Sequence, residues 1–298
     1  MMSRLAKMFG VAALAVSAIV PAAQAADYDP VVQYSDWAFR FEGAAGYTDV
    51  ELGFDAEFQV GDFPVDIGGT AGIDGPIINS AFSASFQGPV LWTQLDGVFG
   101  LSHYHANGNS ASYTQFSGGA HIGWRDMNTG MFALNVAATG FNFVDANVDF
   151  LRVGGTGELY FNQFTVGASG GFITDLVNAS PENGYVKGLA RWYINDNLKF
   201  EGHGGAIFAE DDVELIYGRA LLEWKPDDSR ISYFARWDGF FIDETRGPVS
   251  INVDSHAAVA GIRIYFGDPA TTTVKEQDRV HFADSCAFGA AGQLISIC

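Results

Sequence analysis

The sequence predicts an all-β chain closed into a transmembrane, antiparallel up-and-down barrel, twelve strands around, with both termini periplasmic. Three observations carry this: an export leader with no later apolar helix, runs of about eleven residues with an apolar side chain at every second position, and connections that alternate short and long. Composition agrees. The 298 residues hold 35 acidic and 16 basic side chains, a net charge of −19, so the chain repels phosphate backbones and no nucleic-acid partner is expected. An aromatic content of 14% excludes disorder, and a mean hydropathy of +0.09 excludes a bundle of membrane helices.

Residues 1–25 read as a secretory signal. Arg4 and Lys7 precede an apolar stretch at 11–20 broken only by Ser17, and Ala23-Gln24-Ala25 offers small residues for cleavage. The stretch is too short to cross a bilayer as a helix, which needs about twenty residues. Residues 26–36 then form a short periplasmic segment, 37–266 the barrel and 267–298 a tail.

Strands are expected at about 37–47, 77–87, 90–102, 113–125, 131–142, 150–161, 163–174, 185–195, 198–209, 213–225, 230–242 and 256–266. In the fifth, Phe132, Leu134, Val136 and Ala138 alternate with Ala133, Asn135, Ala137 and Thr139. In the eighth, Val186, Ala190, Trp192 and Ile194 share one face, and Lys187 and Arg191 the other. Short connections fall at 87–89, 126–130, 162, 195–197 and 226–229. Longer ones fall at 48–76, 103–112, 143–149, 175–184 and 243–255, with 210–212 brief in a long position. A membrane barrel needs this alternation of tight periplasmic turns and larger outer loops.

Trp37, Trp124, Trp192 and Trp224, with Phe132, Phe161, Phe164 and Phe200, fall near the short-turn ends and read as an interfacial girdle. Trp92 shares their level, although strict alternation turns it inward, and Trp237 lies part-way along its strand. Residues 50–60 alternate well and 63–73 more weakly, which would raise the count to fourteen. Pro64, Gly68, Gly69 and Gly72 favour an outer hairpin or an inward-folded loop instead. Asp211-x-x-Glu214 is similar to a helix capping box, but Gly218 and the placement of Trp224 favour a strand.

The final strand ends Gly261-Ile262-Arg263-Ile264-Tyr265-Phe266, which looks like the terminal strand by which outer-membrane barrels are recognised for assembly. The order of several pieces resembles porin-like barrels of alphaproteobacteria. These are Gly88-Pro89 before Gln94-Leu95-Asp96-Gly97, His121-Ile122-Gly123-Trp124-Arg125-Asp126, Asp196-Asn197-Leu198-Lys199, and Lys275-Glu276-Gln277-Asp278-Arg279. The resemblance implies the outer membrane of a Gram-negative bacterium and a pore as the expectation, and supplies no catalytic residue. General porins commonly stop at the final Phe; here 32 residues follow Phe266, to hang in the periplasm or enter the barrel.

On these strand phases Arg40, Arg125, Arg152, Lys187, Arg191, Lys199, Arg219, Arg236 and Arg263 point inward, as do Glu42, Asp96, Glu158, Glu201, Glu223 and Asp238. A charge turned to lipid would cost about 2–4 kcal/mol, so the phase is tightly constrained. The expected function is passive diffusion of small hydrophilic solutes or ions, lined by Arg40, Glu42, Asp96, Arg152, Glu158, Arg191, Arg219 and Arg236, without cofactor or metal. Expected partners are outer-membrane lipid and lipopolysaccharide and the solutes themselves, and a homo-oligomer is compatible with the sequence. The alternatives are a closed structural or adhesive barrel acting through its loops, and a rim hydrolase.

The outer connections are acidic: Asp49, Glu51, Asp55, Glu57, Asp62, Asp66 and Asp74, then Glu210, Asp211, Asp212, Asp243 and Glu244. At a pore mouth they would concentrate cations, or hold divalent cations shared with lipid headgroups. Asp and His also gather at the predicted outer rim (His103, His105, Asp145, Asp211, Asp243 and His256), where an Asp/His pair would be the chemistry of a hydrolase. His103-x-His105 lacks a neighbouring carboxylate or Cys for a metal. Gly68-Gly69-Thr70-Ala71-Gly72-Ile73-Asp74 is similar to a calcium repeat but is single and mis-spaced. Gly167-Ala168-Ser169-Gly170-Gly171 matches G-x-S-x-G but sits mid-strand. Cys286 and Cys298 are candidates for a disulfide in an exported chain; the spacing suits two incidental thiols as well.

Overall fold

The computed structural model describes residues 36–284 apart from 61–62, 89–90, 107–108, 143–146, 176–182, 209–213 and 247–248; at 57–60, 63–67, 106, 147–148, 175, 214 and 244–246 it describes the backbone alone. The expected leader, the disulfide pair Cys286 and Cys298, and Asp145 and Asp211 of the rim lie outside the described residues. Twelve strands form one closed antiparallel barrel: β1 (Trp37–Val60), β2 (Phe63–Gln87), β3 (Trp92–Ala106), β4 (Asn109–Asp126), β5 (Gly130–Asn142), β6 (Asn147–Phe161), β7 (Phe164–Asp175), β8 (Asn183–Asn195), β9 (Leu198–Phe208), β10 (Glu214–Trp224), β11 (Ile231–Arg246) and β12 (Val249–Phe266). Each strand pairs with its neighbours in sequence, and β1 closes on β12 from Phe39↔Phe266 to Ala56↔Val249.

Period two is what separates the two faces. On β5, Phe132 and Leu134 are each 59% exposed, while Asn135 is 4% exposed. Large apolar side chains such as Phe41, Ile78, Leu95, Ile122, Val153 and Leu222 point outward around the whole wall, an expanse that water would not tolerate on a soluble monomer. At the short-turn end Trp37, Trp124, Trp192 and Trp224 are outward, and Phe164 stacks on Trp192 with centroids 6.3 Å apart and Trp224 on Tyr233 at 5.9 Å. Trp92 does not belong to this girdle. Its side chain is fully buried, because the alternation of β3 turns it into the barrel.

Three of the expected long connections are almost wholly strand. β1 and β2 stay paired to Val60↔Phe63, β3 and β4 to Ala106↔Asn109, and β11 and β12 to Arg246↔Val249. Bilayer thickness sets a minimum strand length, but a formed ladder goes on satisfying backbone donors and acceptors beyond the lipid. Residues 50–60 and 63–73 are therefore one tall outer hairpin rather than a thirteenth and fourteenth strand. Pro64 and the glycines are tolerated there because β3 joins β2 only from Asp74↔His105 downward, and a prolyl nitrogen costs no ladder bond on such an edge.

After Phe266 the chain turns into the barrel. Gly267 makes that turn at φ 108°, where a Cβ would collide with the carbonyl oxygen of Trp37. A short helix, α1 (Val274–Val280), comes next, its start fixed by a capping box between Thr273 and Glu276. Val274, Val280, His281, Phe282 and Ala283 are buried. Lys275 pairs with Asp196 at 2.5 Å, Arg279 donates to the carbonyls of Phe161, Asn162 and Phe164, and Lys225 donates to the carbonyl of Ala270 at 2.8 Å. The tail is thus stitched to three short turns and fills the periplasmic end. Gly267→Val should strain the turn by about 1–2 kcal/mol before any clash is counted. The expected result is a tail cut readily by protease on a barrel that keeps its heat-modifiable gel mobility.

Candidate functional site: the charged lumen and the tail within it

Where alternation places long charged side chains inward, they meet across the barrel. An unbroken chain of ion pairs runs Glu158–Arg191 (3.0 Å), Arg191–Glu201 (2.7 Å), Glu201–Lys199 (3.3 Å), Lys199–Glu223 (3.2 Å), Glu223–Arg263, Arg263–Glu42 (2.8 Å), Glu42–Arg236 (3.2 Å), Arg236–Asp238 (2.7 Å) and Asp238–Arg219 (2.6 Å). Five bases meet five acids, drawn from β1, β6, β8, β9, β10, β11 and β12. Ser232 and Tyr265 also donate to Glu223, at 2.6 and 2.7 Å. Such pairing is required, because a lone buried ion costs several kcal/mol.

Of the eight residues expected to line a pore, Glu42, Glu158, Arg191, Arg219 and Arg236 belong to this chain. Arg40, Asp96 and Arg152 also face inward but stand apart. Asp96 accepts from Ser83 at 2.7 Å and from Gln94 at 2.9 Å, with His121 at 3.5 Å. Arg40 donates to Ser83 at 3.3 Å and lies 4.7 Å from the Phe282 ring. Arg152 lies over Tyr185 at 5.7 Å, and Arg125 over Trp92 at 4.1 Å.

Sequence reasoning missed the residues that the tail brings into the lumen. Asp278 accepts from Lys199 at 2.7 Å and from Tyr193 at 3.2 Å. Trp92 donates to the carbonyl of His281 at 2.9 Å, and the amide of Ala283 donates to Gln94 at 2.9 Å. Asp284 pairs with Lys187 and lies 3.3 Å from Nδ1 of His203. Between tail and wall a cavity of about 20 Å³ remains, room for about one water. The signal for α1 was in the sequence, as Thr273-x-x-Glu276, but nothing local says that a tail folds back.

Glu201, His203 and Asp284 offer ligand atoms within 4.8 Å of one another. Arg191 and Lys199 already hold Glu201, and Lys187 holds Asp284, so a cation there would displace existing pairs. Three acids of the first hairpin do not face the lumen. Asp49, Glu51 and Asp55 are exposed and continue the outward phase of Phe39, Phe41 and Tyr47. At the rim, the rings of His103 and His105 on β3 meet edge-on at 4.8 Å, while His256 on β12 pairs with Asp254 at 3.0 Å. β1 and β2 stand between these two groups, so His103 and His105 do not join the His256–Asp254 pair. Ser169 lies mid-β7 against Thr156 at 2.9 Å, without the turn its motif needs.

No family model matches the sequence, and no curated protein matches it either. Among solved structures, an outer-membrane channel of Pseudomonas putida F1 is similar at a TM-score of 0.54 and 9% identity, over 80% of this chain and 100% of that one. The fold is that of a Gram-negative outer-membrane β-barrel. More distant likenesses include a FadL homologue of Pseudomonas aeruginosa (TM-score 0.42, 8% identity, 77% of this chain and 90% of that one). Another is the outer-membrane protease OmpT of Escherichia coli (TM-score 0.39, 8% identity, 79% and 99%).

Two outcomes are expected of this barrel. Glu42→Gln leaves Arg236 and Arg263 short of a partner and should lower the unfolding free energy by about 3–5 kcal/mol, read from urea titrations in detergent. Burial pulls the Asp284 carboxyl upward, but the Lys187 ammonium and the His203 ring outweigh it and hold it well below the ordinary 3.8. A depressed folded value means that its contribution is complete above the unfolded value and is lost only as pH falls through the lower folded one. Protease protection of the tail should therefore be insensitive to Asp284 between about pH 5 and 8 and fail only in stronger acid.

Proposed function

We propose that the chain is an outer-membrane channel for passive diffusion of small hydrophilic solutes or ions, held closed by its own tail. The observation that supports this is the contrast between the two faces of one wall, apolar outside and lined inside by ionised groups. A path for apolar compounds would need an apolar lining; Arg40, Glu42, Asp96, Arg152, Glu158, Arg191, Arg219 and Arg236 suit a solute that exchanges water for charged partners. Twelve strands lie between the eight that side chains fill and the sixteen that leave open water, so a tail suffices to close the bore. The resemblance to porin-like barrels supports the same reading. Lipid and lipopolysaccharide are the partners of the outward belt, and the chemistry involves no cofactor and no bond made or broken.

A closed structural or adhesive barrel is the second reading, favoured by the tail and the balanced ion pairs that fill the lumen. Planar-bilayer recording of the purified full-length protein separates the two. Brief discrete current steps are expected, with long closures while the tail is seated. A folded, heat-modifiable protein that gives only flat traces would transfer the function to the outer hairpins.

A further inference from the structure

Outside the balanced chain of ten, the described strands carry four more inward bases, Arg40, Arg125, Arg152 and Lys187, against one acid, Asp96. Each has a partner, but the partners differ in kind. Arg125 and Arg152 lie over aromatic rings of the wall, while Arg40 and Lys187 are covered by the tail, through Phe282 and Asp284. The tail carboxylate therefore sits in a basic recess. Lys187 holds it, Nδ1 of His203 is 3.3 Å away, and Arg219 lines the same small cavity, while Glu201 holds the other nitrogen of the His203 ring at 2.8 Å. Asp284 is 13% exposed and is the last charged side chain of the sequence. Removing its charge leaves the ten-residue chain of pairs intact and takes one carboxylate away from Lys187 and His203.

We propose that the recess formed by Lys187, His203 and Arg219 is a binding site for a small carboxylate anion, and that Asp284 is its built-in occupant, displaced when that solute enters. The inference rests on the channel reading and adds the class of solute. A tethered carboxylate competes at high effective concentration, so a free one must out-compete it before the tail shifts. The exposed acids Asp49, Glu51 and Asp55 are screened within about 8 Å at physiological salt and face away from the lumen.

The test is calorimetric titration of sodium succinate into full-length protein in detergent, with folding checked by heat-modifiable mobility. Asp284→Asn should bind succinate about tenfold more tightly than wild type, because its internal competitor is gone, and Asp284→Glu should behave as wild type. Adding Lys187→Gln to Asp284→Asn should abolish the gain. Equal affinity in wild type and Asp284→Asn, or a gain that survives Lys187→Gln, overturns the proposal. In planar bilayers Asp284→Asn should open more often and prefer chloride to potassium, with the current reduced by succinate. Cation preference without succinate binding overturns the solute class and leaves the channel standing. Succinate binding as expected by a barrel that never conducts supports the site and removes the channel reading alone.

Discussion

Hydrocarbon offers no partner to a peptide N–H or C=O, and the rest of the molecule depends on meeting that condition without an edge. The seam between β1 and β12 does so from Phe39↔Phe266 upward, and it binds the first strand to the last. Once the sheet is closed, every strand has one lipid face and one lumen face, and the period of two in the sequence becomes an inside and an outside. The seam also delivers Phe266 to the mouth of the tube. Gly267 needs only one turn to send the tail into the lumen.

A tube of this girth is wider than short side chains can fill, which explains the choice of residues inside. Arg, Lys and Glu reach far enough to meet across it, and they are tolerable there only in pairs. The ten-residue chain from Glu158 to Arg219 ties seven strands together through charge alone. Its balance has a consequence for the tail: Asp278 adds a third carboxylate at Lys199, whereas Asp284 answers Lys187, a base that stands outside the chain of pairs. Of Asp278 and Asp284, the latter is the one whose place the proposed anion would take.

Much of this was legible in the sequence. The inward phase of all fifteen wall charges could be read because a single slip would put each of them in lipid, a penalty large enough to fix the phase of the nine strands that carry them. Trp92 shows the same rule overriding a weaker one, since alternation placed it inside although its level suggested the girdle. What could not be read is whatever lipid does not constrain. The tall hairpin of β1 and β2 stands in water, where a strand and a loop of the same alternating residues are both permitted. The entry of residues 267–284 into the barrel depends on contacts such as Trp92 with His281 and Lys187 with Asp284, far apart in sequence and invisible to periodicity.

Net charge has to be resolved position by position. A total of −19 suggests a molecule that draws cations through it, yet a total says nothing of where charges point. Asp49, Glu51 and Asp55 lie on odd positions of β1, the phase of Phe39 and Phe41, while Arg40 and Glu42 lie on the even ones. These three acids therefore decorate the outer surface, in bulk solvent, where counterions answer them. The wall charges face one another across a few ångströms of low dielectric, where each Coulomb term is several times larger. In this second set the bases outnumber the acids, and Lys187 is met by a carboxylate that the chain carries in with its own tail.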